Sequence, residues 1–367
     1  MLKQFTVKSI LLLILFFCIT ALHTNEKTVF LTGAAGFIGS NFLQYMFDKY
    51  PSYNFLVLDS LTYAGSLDNI PEVIRESPRF SFFHGSVTDK QLVDTLMPQA
   101  HFVVHFAAET HVARSIYDSS NFFETDILGT KVLLDSLIQH KNVERFIHIS
   151  TSEVCGSAKT TPMDEEHPIN PQSPYAAAKA GADRLVYAYQ CTYDIPTVII
   201  RPFNNYGPQQ HLEKMIPRFI HSAMCGLPLT IHGDGCQTRD WLYVTDTCRA
   251  LDKILHHGDF NTIKNQIIHI GTGEETSVLA IAQCILGMFD VPESQIAFIT
   301  DRPGQVDCHI SSTKKSRDLL DWQPTVSLEE GLRSTVQWYK NNPEWCSKRE
   351  SMKLVPIFTK QNIIEMH

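Results

Sequence analysis

The chain reads as an α/β protein, a doubly wound parallel sheet of the Rossmann type followed by a smaller C-terminal lobe. Two observations carry that reading. A glycine-rich loop, Thr32-Gly33-Ala34-Ala35-Gly36-Phe37-Ile38-Gly39-Ser40, joins a short apolar run to a stretch of helical spacing. Beyond it, apolar runs that end in small or polar residues alternate with helical stretches as far as about residue 205. That alternation belongs to a parallel sheet covered on both faces.

Taken in order, Lys27–Leu31 is a β-branched and apolar run, as a strand buried on both faces must be. The loop after it has the pattern Gly-x-x-Gly-x-x-Gly at Gly33, Gly36 and Gly39. Glycines there let the backbone approach a pyrophosphate, and the helix opening at Phe37 and Ile38 offers N–H donors and positive potential. Phe55–Leu58 is the second strand, closed by Asp59. A carboxylate at that place accepts ribose hydroxyls and repels a 2′-phosphate, so NAD is expected rather than NADP.

Four further strands follow. Phe80–His84 leads to Gly85-Ser86-Val87, and His101–Phe106 to Ala107-Ala108-Glu109-Thr110. Arg145–Ser150 leads to Thr151-Ser152-Glu153, and Pro196–Ile200 to Arg201-Pro202-Phe203-Asn204-Asn205. Ligands of doubly wound sheets bind at such carboxyl ends. Past residue 205 the elements shorten and Pro, Gly and Trp punctuate them. The expected division is residues 27–205 for the NAD-binding domain with the catalytic residues, 206–345 mainly for a substrate-binding lobe, and 346–367 for a tail.

Length and composition agree with an enzyme of this kind. A chain of 367 residues with 44% hydrophobic content can bury a large core. The net charge of −8 and the absence of a basic stripe argue against a nucleic-acid partner. Nine cysteines are scattered without metal-ligand spacing, which reads as reduced thiols and no metal. His105 and His111 bracket one strand-end loop but lack a third ligand at metal spacing, so both are expected to be structural.

The chemistry is expected from Ser173-Pro174-Tyr175-Ala176-Ala177-Ala178-Lys179. Tyr175 and Lys179 lie one helical turn apart and project from the same face. An ammonium beside a phenol favours the phenolate, and the spacing therefore predicts a tyrosine that takes an alcohol proton while hydride leaves the same carbon.

These motifs resemble the extended short-chain dehydrogenases that act on nucleotide sugars, the NAD-dependent epimerase/dehydratase family, over roughly residues 27–345. The more specific segments are Leu61-Thr62-Tyr63-Ala64-Gly65, the run from His105 to Val112, Asn204-Asn205-Tyr206-Gly207-Pro208, Arg239-Asp240-Trp241-Leu242-Tyr243-Val244 and Asp301-Arg302-Pro303-Gly304. Together they are most similar to nucleotide-sugar 4,6-dehydratases of the dTDP-glucose type. The resemblance implies NAD held by the glycine loop, Asp59, Thr62, Ser86, Val87, Ala107, Ala108, Thr125, Tyr175 and Lys179. It implies a nucleotide-diphosphate sugar held by Thr110, Thr151, Asn204, Asn205, Lys214, Arg239 and Arg302. Tyr175 would take the C4 hydroxyl proton with Thr151 sharing the oxygen, Lys179 would hold the ribose, and Glu153 would take the C5 proton before water leaves C6 and hydride returns there.

Several positions depart from the family pattern. Ser152 stands where an aspartate acid is usual, and a serine hydroxyl can only relay a proton or position a water. Thr-Ser-Glu also occurs in GDP-mannose dehydratases and in decarboxylases of UDP-glucuronate, so the decarboxylase, a 4-epimerase and a non-catalytic NAD-binding scaffold stay open as alternatives. Cys155 replaces a tyrosine, Ser86 an aspartate at the adenine pocket, and Cys308-His309 stands where an arginine is common near the phosphates. Loss of that arginine removes a bidentate clamp.

Three expectations remain. Helices carrying Thr125–Thr130 and Tyr175–Tyr189 are apolar on more than one face, which predicts a homodimer. Trp322, Pro324, Trp338 and Tyr339 are expected in the core of the small lobe. Residues 1–26 stand apart: an apolar stretch at 10–22 follows Lys3 and Lys8 like a signal-peptide core or short anchor, yet is shorter than the ~20 residues that span a bilayer. Free NAD and nucleotide sugars are cytosolic, so a cytoplasmic catalytic domain is expected, with membrane anchoring through residues 10–22, a cleaved signal and a plain extension all open.

Overall fold

The computed structural model describes residues 26–300, 304–352, 355–358 and 363–366. The apolar segment at residues 10–22 lies outside the described residues. Among the described residues no helix is long and apolar enough to cross a membrane.

Seven parallel strands form the central sheet: β1 (Thr28–Thr32), β2 (Asn54–Asp59), β3 (Phe80–His84), β4 (Phe102–His105), β5 (Arg145–Ile149), β6 (Thr197–Pro202) and β11 (Ile267–Ile270). Their order is β3-β2-β1-β4-β5-β6-β11, so the winding reverses between β1 and β4. In such sheets the ligand crevice opens at that reversal. The register is continuous, with Thr32 opposite Leu58 on one side and His105 on the other.

Alternation along the strands builds two cores. Val29, Leu31, Phe55, Val57, Phe102, Val104, Ile147 and Val198 face one side, where Phe42, Leu43 and Met46 of the helix Phe37–Lys49 and Leu251, Ile254 and Leu255 of the helix Val244–Leu255 cover them. Phe30, Leu56, Leu58, Val103, Phe146 and Ile199 face the other, under Val93, Leu133, Leu134, Leu137 and Val186 from the helices Lys90–Leu96, Thr130–Gln139 and Pro174–Tyr193. Burial of each such side chain contributes roughly 1.5–3 kcal/mol.

The smaller lobe has its own core, in which Tyr206, Leu212, Ile216, Phe219, Leu229, Ile285, Leu332 and Tyr339 pack together. Short strand groups frame it: β7 (Asn204–Tyr206) with β10 (Trp241–Tyr243), β8 (Leu229–His232) with β13 (Ile296–Ile299), and β9 (Thr238–Arg239) between β12 (Thr276–Ser277) and β14 (Cys308–His309). The chain returns to the large sheet through the helix Val244–Leu255 and β11. Trp322 corrects one expectation. It packs in the core of the large sheet, with its indole N–H donating to the Asp246 carbonyl at 3.2 Å, because the segment after the helix Lys314–Leu320 lies against that face. The eight described cysteines are free thiols.

One ion pair fastens the helix Pro174–Tyr193 to the strand ends. Arg201, 1% exposed on β6, donates to both oxygens of Asp183 at 2.9 and 3.1 Å, and the Ser150 hydroxyl donates to the same carboxylate at 2.7 Å. Burial alone would raise the Asp183 pKa, but Arg201, Arg184 and Ser150 hold it far below the ordinary carboxylate value. Its contribution to stability is therefore present above the unfolded-state pKa of ~4 and is lost as pH falls below it. Asp183→Asn should leave Arg201 buried without a counter-charge and cost about 3–5 kcal/mol, measured by urea unfolding at pH 7, with a smaller difference at pH 3.

Candidate active site

The strand ends on both sides of the reversal open into one cavity of about 430 Å³ that runs from the glycine loop to the smaller lobe. The glycine loop turns at Gly33, whose φ of +71° strains any residue with a Cβ. A Cβ there would also lie 2.5 Å from the Ala107 nitrogen, so the loop rests directly on the backbone beyond β4. Gly39 is equally confined, since its Cβ would come within 2.6 Å of the Gly33 carbonyl oxygen. Gly36, Phe37 and Ile38 line the cavity where the helix Phe37–Lys49 begins.

Asp59 closes β2 with each carboxylate oxygen held by one backbone donor at 2.8 Å, Ala35 N–H on Oδ2 and Leu61 N–H on Oδ1. Burial pushes its pKa up against those two bonds. Each oxygen keeps a second lone pair for a ligand hydroxyl. Thr62, Ser86, Val87, Ala107, Ala108 and Thr125 line the cavity as well. The Ser86 hydroxyl is 2.8 Å from Thr88 Oγ1 and accepts the Thr88 N–H, so it shapes the turn after β3. A cradle that Cβ atoms would fill, a helix N-terminus and a buried carboxylate together fit an NAD molecule.

The other half of the cavity is set by the helix Pro174–Tyr193. Ser173 caps it by accepting the Ala176 N–H, and Pro174 occupies the first turn. Tyr175, Lys179 and Asp183 follow at one-turn intervals on one face. Lys179 Nζ donates to the Ile149 carbonyl at the end of β5 at 2.7 Å. Burial pushes its ammonium pKa down, and Asp126 and Asp183 oppose that. The Tyr175 phenol lies beside the hydroxyls of Thr151 and Thr110, both of which pull its pKa down. Its phenol pKa is pushed well above the ordinary value, first by burial and then by the carboxylates of Asp126 and Glu153, against the Thr151 bond. The expectation that Lys179 draws the phenol towards ionisation is thus corrected. One ammonium hydrogen goes to the Ile149 carbonyl, and the charges that raise the phenol pKa are the carboxylates of Asp126 and Glu153.

Thr151 accepts the Glu153 N–H at 3.2 Å and starts the short turn Ser152–Cys155. Thr151, Ser152 and Glu153 all reach the cavity. Cys155 is fully buried in a small apolar cluster with Val154, Met163 and Phe203. His105 is fully buried between Thr32 Oγ1 at 2.7 Å and Thr130 Oγ1 at 3.0 Å, and burial holds it neutral. His111 caps the helix Val112–Tyr117.

Thr110, Asn204, Asn205, Lys214 and Arg239, the residues expected to hold a substrate, also line the cavity. Lys214 donates to Thr110 Oγ1 at 3.1 Å and to the Thr110 carbonyl. Asn205 is engaged on both ends, donating to Phe203 O at 3.0 Å and accepting the Thr247 hydroxyl at 2.5 Å, whereas Asn204 Oδ1 is buried with no partner among the described residues. Arg239 is buried, and its pKa is lowered by burial against the pull of Glu153. Arg302 lies outside the described residues.

Three groups escaped the sequence reading. Arg218 lines the cavity with a buried Nε that has no partner among the described residues. Its spacing of one turn from Lys214 was the available signal. Glu109 is buried beside Glu213, and burial raises its pKa. Asp126 sits on the π-helical turn Phe123–Gly129, accepts the Glu109 N–H at 2.8 Å, and is pushed up to about 7, chiefly by burial. A lone acidic residue in a helical stretch carries no signal of burial.

Comparison with known proteins agrees with this geometry. The family model described as GDP-mannose 4,6 dehydratase matches residues 30–335. The chain belongs to that family. It is 42% identical over 316 residues to the low-salt glycan biosynthesis protein Agl12 of Haloferax volcanii, covering 86% of this chain and 99% of that one. It is 41% identical to a dTDP-glucose 4,6-dehydratase of an Actinoplanes species, again with 86% and 99% of the two chains covered. The crystal structure of DesIV, a dTDP-glucose 4,6-dehydratase from Streptomyces venezuelae with NAD and TYD bound, superposes with a TM-score of 0.83 at 38% identity, over 87% of this chain and 98% of that one.

Tyr175→Phe keeps the ring and removes the titrating group, so NAD binding should persist while sugar oxidation falls by ~10²-fold or more. In the intact enzyme the raised phenol pKa predicts oxidation that quickens as pH rises through the alkaline range. Asp126→Asn removes a charge that keeps the phenol protonated, and stopped-flow rates across pH should show that rise displaced to lower pH. An unmoved profile would separate Asp126 from Tyr175.

Proposed function

We propose that this protein is an NAD-dependent nucleotide-sugar 4,6-dehydratase that converts dTDP-glucose to the 4-keto-6-deoxy sugar and water. The observation that carries the reading is the meeting of Tyr175 and Glu153 in one cavity with the glycine cradle and Asp59. The substrate class comes from relatives such as the Actinoplanes dehydratase.

Gly33, Gly36 and Gly39 would hold the pyrophosphate of NAD, Asp59 the adenosine ribose, and Lys179, with two ammonium hydrogens beyond its bond to Ile149, the second ribose. Bound there, NAD supplies the hydride acceptor for C4 and the hydride donor for C6. The protein's own groups manage the protons. Tyr175 takes the C4 hydroxyl proton as the C4–H bond breaks, and the Thr151 hydroxyl holds the developing carbonyl oxygen. That carbonyl acidifies C5–H, and Glu153 takes the proton. The C6–O bond then breaks, and the hydroxide leaves as water with the proton from the Glu153 carboxyl. C5 is reprotonated from solvent through Glu153 as C6 is reduced, and Tyr175 returns its proton to solvent. Arg218, Lys214 and Arg239 supply positive charge for the diphosphate, which offsets the loss of an arginine at Cys308.

We also place a second copy of the chain against the helix Pro174–Tyr193 and the turn before it. Phe123, Leu128, Tyr187 and Tyr193 leave apolar surface exposed there, and sedimentation at micromolar concentration should give a dimer rather than a monomer.

Decarboxylation of UDP-glucuronate is the second reading, favoured by Ser152 in place of an acid. Enzyme given dTDP-glucose in heavy water should form the 4-keto-6-deoxy sugar with deuterium at C5; release of carbon dioxide from UDP-glucuronate instead would establish the decarboxylase. Glu153→Gln should lower dehydration by ~10²-fold or more, with the 4-keto sugar accumulating and its C6 hydroxyl intact. Dehydration at the wild-type rate would remove Glu153 from this role.

A further inference from the structure

A serine hydroxyl can donate to a ligand or accept from it, and its other hydrogen-bond partner decides which. Ser152 has such a partner. His309, on β14, is completely buried, with Nε2 2.6 Å from the Gly156 carbonyl oxygen and Nδ1 3.5 Å from Ser152 Oγ. A carbonyl only accepts, so the hydrogen of the neutral ring sits on Nε2 and Nδ1 is an acceptor. The ring is held edge-on against Phe203 at 6.1 Å, and the backbone of His309 pairs with Arg239. Burial pushes the imidazole pKa down, with Arg239 and His167 acting the same way and Glu153 and the Gly156 bond opposing. The ring is therefore neutral near pH 7. Its Nδ1 takes the Ser152 hydrogen, and the oxygen of Ser152 offers the cavity lone pairs alone.

Ser152 and Glu153 line the cavity from one turn. On the reading above, which this inference deepens, Glu153 takes the proton of C5, so C6 is one bond away, and the substituent it carries, two bonds away, falls to the neighbouring Ser152. We propose that the Ser152–His309 pair selects a sugar whose C6 bears a hydroxyl and rejects one whose C6 bears a carboxylate. A hydroxyl has a hydrogen to give to Ser152. A carboxylate has none, and it would meet the lone pairs of Ser152 beside Glu153, which already faces the nearby positive charge of Arg239. Ser152 touches the substrate, and His309 is a positioning residue that acts through it.

The test compares KM and kcat for dTDP-glucose with the inhibition constant of dTDP-glucuronate in wild type, His309→Phe, Ser152→Ala and the double variant. Wild type should bind the glucuronate at least ~10-fold more weakly than the glucose sugar. His309→Phe keeps a ring against Phe203 and frees the serine hydrogen, so the glucuronate should tighten by ~10-fold while KM for dTDP-glucose rises. In the Ser152→Ala background the same change should alter neither constant. Ser152→Ala alone leaves His309 bonded to Gly156, and its selectivity should collapse even if His309→Phe folds poorly. Equal shifts for both sugars in His309→Phe, or full selectivity in Ser152→Ala, would overturn the selector while the wild type still dehydrates dTDP-glucose. A wild type that forms no 4-keto-6-deoxy sugar would overturn the dehydratase reading and the selector with it.

Discussion

The site depends on how one helix is fixed to the ends of β5 and β6. Tyr175, Lys179 and Asp183 recur at one-turn intervals, and each meets a different part of the sheet's carboxyl edge. Asp183 closes a network with Arg201 and Ser150, Lys179 bonds the Ile149 carbonyl, and Tyr175 reaches Thr151. The deepest contact is ionic and bidentate, which fixes rotation about the helix axis as well as position. Two turns away, the phenol inherits that orientation. Without the Asp183 lock, neither the ammonium nor the phenol has a unique place over the strand ends.

Charge in the cavity is unevenly compensated, and this shapes the chemistry. Asp59, Glu109 and Asp126 are buried carboxyls whose pKa values burial raises, while Lys179 and Arg239 are buried cations whose values burial lowers. Burial thus works against the charged form of each group, and an anionic diphosphate entering beside Arg239 and Arg218 would offset that effect for the cations. The phenol shares this environment, and burial, reinforced by the carboxylates of Asp126 and Glu153, holds its proton. His309 adds neutral polarity: it orients Ser152 without adding a charge next to Glu153.

Much of this was legible in the sequence because local chemistry encodes it. Strand Phe80–His84 and the ends of its neighbours follow from apolar runs, and the loop at Gly33, Gly36 and Gly39 follows from spacing. Asp59, Ser86, Val87 and Thr151–Glu153 follow from their place just after strands, since the cavity gathers strand ends. What the sequence hid depends on burial and on partners distant in the chain. Asp126 and Arg218 look like solvated helix positions until the fold encloses them. Chain order points Trp322 to the wrong core, because it does not reveal that its segment returns to the large sheet. The one-turn spacing of Tyr175 and Lys179 announces a shared face but not the carbonyl of Ile149 that accepts from the ammonium. The pairing of Ser152 with His309 spans more than 150 positions and no local pattern announces it.

The central claim is that one cavity both oxidises C4 and reduces C6 of the same sugar. The direct measurement follows the C4 hydrogen: dTDP-glucose deuterated at C4 is converted in ordinary water, and the product is read by NMR and mass spectrometry. The account predicts one deuterium in the C6 methyl group and a solvent hydrogen at C5. Deuterium retained at C4, or a product without deuterium at C6, would contradict it.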